Sequence, residues 1–139
     1  MPIANIDSAN SPNVGSYTLS VGLDLPLYSS ATGAIAATGA QATFGIPPQS
    51  SIPRGTLWFQ AIPVGTVTGS ALTVNLEGSF DGGTTFGIIQ TGLVLVTSGV
   101  GAIVSANVSG LGGCGKLRLN GTTVTLGSST GFNVFVHLG

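Results

Sequence analysis

Apolar residues recur at every second position in several short stretches of this chain, and nowhere at the three-and-four spacing of a helix over a long window. The cleanest case is Leu72, Val74 and Leu76, which alternate with Thr73, Asn75 and Glu77. Tyr17, Leu19 and Val21 alternate in the same way with Thr18 and Ser20 and predict a first strand. Further strand candidates are 56–62, stopped by Pro63, then 84–90, 93–96, 102–108, 116–119, 122–126 and 132–138. The 23 glycines would each cost a helix about 1 kcal/mol relative to alanine, so the class is all-β. About eight short strands with turn signals every 8–12 residues predict an antiparallel β-sandwich. The long connection before Gly55 favours a jelly-roll or Greek-key path over an up-and-down barrel.

At 13.7 kDa the chain is the size of one domain. Residues 1–14 are polar and small, with Pro2 and Pro12 and no periodicity, and read as an extended arm. Residues 15–139 form a single sandwich domain. Within it, 26–53 are a long, weakly patterned connection through Pro47, Pro48 and Pro53, with Ile35, Phe44, Ile46 and Ile52 as isolated anchors. A structureless loop of that length is uncommon in a compact domain, so this stretch is expected to hold a strand or two and an extended segment that docks on a neighbour.

Charge changes the picture more than any motif does. Only seven residues are charged, namely Asp7, Asp24, Arg54, Glu77, Asp81, Lys116 and Arg118. A typical domain has roughly a quarter of its residues charged. A surface this poor in charge repels its own copies little, which points to assembly against other proteins. The net charge of -1 lacks the basic footprint of a nucleic-acid binder. The start has no basic segment followed by an apolar one, so synthesis in a cytoplasm is expected. No run of about 18 apolar residues exists for a membrane helix, and the aromatics are too scattered for the girdles of a membrane barrel.

Little in the chain predicts chemistry. Cys114 has no second cysteine to pair with, and with His137 it is too small a set for a metal site, so no cofactor is expected and core burial is its predicted role. His137 reads as a surface or interface residue. Glu77 and Asp81 flank a turn, but nothing else there suits a carboxylate pair. The run from Gly110 to Lys116 fits two nucleotide-binding spacings, yet Leu117 stands where a phosphate loop needs Ser or Thr, and Leu117, Arg118 and Leu119 alternate as a strand. No nucleophile, base and orienter can be assembled, and an enzyme is not predicted.

The most specific local signal runs from Ser79 through Phe80, Asp81, Gly82, Gly83, Thr84 and Thr85 to Phe86. It resembles the Asp-box turn of sialidase propellers, which is structural in those families. Asp81 is expected to accept hydrogen bonds from the turn's own N–H groups, Gly82 and Gly83 to take positive φ, and Phe86 to pin the hairpin to the core. Lys116 and Arg118 project from one strand face, with Leu117 and Leu119 towards the core; the two basic residues are either solubilising or candidates for docking on an acidic rim. Trp58, beside Phe59 in an alternating strand, reads as a buried core or interface anchor.

From Gly55 to the end, the strand and Asp-Gly turn of 72–86, followed by Leu117-Arg118-Leu119 and the strands 122–126 and 132–138, resemble the small β-sandwich proteins of tailed-bacteriophage virions. That resemblance implies a capsid cement or decoration protein, usually a homotrimer that bridges subunits of the major capsid protein on the capsid surface of a virion made in the host cytoplasm. The alternative is a carbohydrate- or receptor-binding module of a phage tail or fibre, with Trp58, Tyr17 and Tyr28 as candidate sugar contacts.

Overall fold

The computed structural model describes residues 24–28, 33–45, 55–108 and 115–138. The predicted arm (1–14), the strand candidate at 17–21, and Cys114 with most of its glycine run lie outside the described residues. Within them are nine strands: β1 (Asp24–Tyr28), β2 (Gly39–Phe44), β3 (Thr56–Gly65), β4 (Ala71–Ser79), β5 (Gly87–Thr97), β6 (Val100–Gly101), β7 (Ile103–Asn107), β8 (Lys116–Thr125) and β9 (Ser129–Leu138). They form a four-stranded sheet in the order β1-β9-β3-β7 and a five-stranded sheet in the order β2-β8-β4-β5-β6. Every pairing is antiparallel.

The order of pairing makes the path legible. β4 pairs with β5, β3 with β7, β2 with β8 and β1 with β9, so the chain is one long hairpin rolled up across two sheets. This is a jelly roll, the more specific of the two paths expected. The Asp81 turn is the closed end of that hairpin.

Alternation explains the core. Leu72, Val74 and Leu76 of β4, Leu117 and Leu119 of β8, Leu57 and Phe59 of β3, and Phe132 and Val134 of β9 are fully buried between the sheets. Ile35, one of the isolated anchors, is also fully buried, and its N–H and C=O exchange hydrogen bonds with Phe132. The described residues of the connection at 26–53 thus contribute the end of β1, all of β2 and the Ile35 bridge, each paired within the chain. Tyr28 joins the two sheets, since its hydroxyl donates to the carbonyl of Ala42, which lies where β2 slips register against β8. Burial pushes the Tyr28 phenol up to about 12.

Three boundaries differ from expectation. β3 runs on through Pro63, because β7 pairs only as far as Gln60 and the strand beyond is an edge, where a missing N–H disrupts no ladder on that side. The candidate at 84–90 gives up Thr84, Thr85 and Phe86 to the turn, and its remainder joins 93–96 in β5, with an irregular register against β4 and Gly92 at positive φ, its N–H held by Asn75 Oδ1 at 3.0 Å. The candidates at 116–119 and 122–126 join in β8 through a slip near Gly121, where Thr122 Oγ1 donates to the Thr73 carbonyl. Glycine and threonine clusters that read as turns are therefore bulges within longer strands.

Candidate functional site

The outer faces of the two sheets differ in chemistry. On the five-stranded sheet, Glu77 and Arg118 are register partners on β4 and β8. Arg118 Nε donates to Glu77 Oε1 at 2.7 Å and Asn120 Nδ2 donates to Glu77 Oε2 at 2.8 Å. Those donors cover the carboxylate so well that Glu77 is only 6% exposed, although it sits on the outward side of the strand. The Arg118 guanidinium also stacks on Phe86, 3.9 Å from the ring centroid. Phe86 therefore pins the hairpin to this ion pair on the sheet's outer face, where the sequence suggested the core.

The turn that follows β4 is a closed hydrogen-bond network. Ser79 Oγ donates to Asp81 Oδ1 at 2.6 Å and accepts from the Gly83 N–H at 2.9 Å. Asp81 Oδ1 also accepts from the N–H groups of Thr84 and Thr85, at 3.0 and 2.8 Å. These donors hold the Asp81 carboxyl well below the usual carboxylate range, with the Ser79 hydroxyl first among them. Gly82 and Gly83 both have positive φ, as the pattern requires. Glu77 and Asp81 thus have separate hydrogen-bond partners. Of the two docking candidates, Arg118 is committed to Glu77, while Lys116 is exposed at the start of β8, its Cγ 3.5 Å from where a Gly83 Cβ would stand.

Phe80 stands outside this network. It is 73% exposed, the most exposed large apolar side chain among the described residues. With Ile88 and Ile89 of β5 it borders a shallow groove that also touches Asp81 and Thr85.

On the four-stranded sheet Trp58, Gln60 and Ile62 of β3, Ile103 of β7, and Phe135 and His137 of β9 line an open, largely apolar groove of about 580 Å³, and Asp24 of β1 is the register partner of His137. Trp58 is 39% exposed, which corrects the core half of the expectation and leaves the interface half untested; Phe59 is the buried member of that pair, because neighbours on a strand point to opposite faces. Tyr28, a candidate sugar contact, is buried between the sheets, and Tyr17 lies outside the described residues. The sequence did carry a signal for this groove. In the run 57–62, Trp58 and Ile62 lie on the face opposite Leu57, Phe59 and Ala61, as in a strand covered on two sides, and Phe135 does the same between Asn133 and His137, whereas 71–77 has no such pattern.

Among the described residues no group of three His, Cys, Asp or Glu could hold a metal ion, and no helix is long and apolar enough to cross a membrane. No family model, characterised protein or solved structure matches the chain.

Proposed function

We propose that this protein is a structural assembly protein of the capsid cement or decoration type, which stabilises a phage head by bridging major capsid subunits as a homotrimer. The reading rests on one observation: only seven residues of the chain are charged, while large apolar side chains are left outside the fold. Glu77 and Arg118 neutralise each other, and Asp81 is consumed by its turn. Trp58, Ile62, Ile103, Phe80, Ile88, Val67 and Val100 stay exposed on three parts of the surface. Exposed apolar area of this kind lowers solubility and contributes nothing to the fold, so its use is contact with other protein. The jelly roll supplies a rigid frame for such contacts.

The test is whether the chain co-purifies stoichiometrically with a virus particle and raises the temperature at which that particle opens. A particle that lacks the chain, and that ignores it when purified protein is added back, would refute the role.

The exposure of Trp58 favours a second reading, a carbohydrate-binding module. An indole beside Gln60 and His137 in an open groove suits the face of a sugar ring with polar groups at its edge. Binding to a glycan array that Trp58→Ala abolishes would select this reading over the first.

A further inference from the structure

A sheet edge presents unpaired N–H and C=O groups and is a template for another strand unless something closes it. Among the described residues the two sheets end in four edge strands, β1, β7, β2 and β6. β1 contains Asp24 and Pro26, and the proline has no N–H to offer. β2 slips register against β8, and two of its carbonyls are taken up by side chains: Gln41 Nε2 donates to the Gly39 carbonyl at 2.9 Å, and the Tyr28 hydroxyl donates to that of Ala42. β6 is only two residues long. The stretch of β3 past Gln60 holds Pro63. β7 has none of these devices. Its five residues, Ile103–Asn107, include no Pro, no Gly and no charge, and they pair with β3 in unbroken register.

The ladder with β3 fixes which backbone groups β7 turns outward. The Val108 N–H donates to the Gly55 carbonyl, one step beyond the register of Thr56 with Asn107. Hydrogen-bonding groups alternate sides along an antiparallel strand, so Val104 and Ala106 bond to β3, while Ile103 and Ser105 direct their N–H and C=O away from it. Among the described residues no strand lies on that side, and the side chains of Ile103 and Ser105 are both exposed. We propose that β7 of one copy pairs antiparallel with β7 of a second copy, centred on Ser105, and joins two four-stranded sheets into one of eight strands. The other edges identify this occupant. Because they are closed, strand pairing between copies is left to β7, and β7 can only meet itself. An edge that pairs with itself does so about a two-fold axis. Ser105 is small enough to stand opposite its counterpart on that axis, and the strand has no charge to repel its copy. The N–H and C=O of each Ser105 then exchange hydrogen bonds with the other. The contact closes at two copies, so it goes beyond the proposed role: it is additional to any three-fold contact and would tie one trimer to the next.

The experiment uses the purified full chain, with mass measured across a concentration series by sedimentation or light scattering. Wild type is expected to assemble in even numbers, as a dimer or, where a three-fold contact also forms, a hexamer. Ser105→Lys and Ser105→Glu each set like charges against each other at the axis, yet face solvent in a single copy. Both should keep wild-type circular dichroism while weakening the pairing roughly 10-fold or more. Mixing the two variants places opposite charges across the axis and should restore the even-numbered species that neither forms alone. A wild type that is a monomer or a trimer at every concentration overturns the proposal, as does pairing that both charged variants leave intact or a mixture that stays unpaired. Particle binding by wild type is scored separately: binding by an unpaired wild type would sink this inference and leave the assembly role standing.

Discussion

Glu77 is a residue whose strand position and burial disagree, and the disagreement locates an interaction. Alternation places it outward with Thr73 and Asn75, yet Arg118 and Asn120 close over it. Removing the carboxylate leaves a guanidinium and an amide without their shared acceptor, so Glu77→Ala should cost about 1–3 kcal/mol. Arg118 keeps partial contact with water, which screens the pair. A double-mutant cycle of Glu77→Ala and Arg118→Ala in urea denaturation should therefore give a coupling of about 1 kcal/mol. A coupling indistinguishable from zero would mean that solvent screens the pair completely. None of this was legible from spacing, because the two residues are far apart in sequence and become neighbours only through the pairing of β4 with β8. Trp58 teaches the complementary lesson. The period of two was visible, but which of two adjacent aromatics faces the core depends on register, and register is set by partner strands that a local reading does not see.

At the scale of the element, the hairpin from β4 to β5 was the most legible part of the molecule, because its determinants are all local. Ser79, Asp81 and Gly83 stand at the spacings their hydrogen bonds need. Asp81→Ala should lower the melting temperature by a few degrees at neutral pH. Since folding depresses this carboxyl, its contribution is complete above the unfolded value near 3.9 and fades as pH falls through the folded one. The gap in melting temperature between wild type and Asp81→Ala should thus hold from pH 7 to about 4 and shrink only below that. The tie between the sheets titrates in the opposite direction. Tyr28 stays protonated in the fold up to about 12, so its stabilisation is complete below pH 10 and is lost as pH rises through the folded value. Tyr28→Phe leaves the Ala42 carbonyl without its donor and should cost about 1–2 kcal/mol at pH 7. Absorbance of the phenolate during an alkaline titration should show Tyr28 ionising together with unfolding. This tie was hidden from the sequence because β1 is short and interrupted by Pro26, β2 is built largely of small and polar residues, and both take their places from β9 and β8.

For the whole molecule, the rolled hairpin orders the contacts from local to remote. The pairing of β4 with β5 closes a short loop, β3 with β7 a longer one, and β1 with β9 brings Tyr28 to Val134 across most of the chain. Loop-closure entropy opposes each pairing more as its span grows, and a sandwich with many remote pairings folds slowly. Once the closed end exists, each later pairing starts from a shorter effective loop. The hairpin is therefore expected to be structured in the folding transition state, and the β1 and β9 pair to be added after it. Stopped-flow kinetics across denaturant separates the two. Asp81→Ala should act chiefly by lowering the folding rate, because its turn is already formed at the barrier, whereas Tyr28→Phe should act chiefly by raising the unfolding rate. The reverse partition would place the nucleus at the open end of the rolled hairpin, where the first and last strands meet.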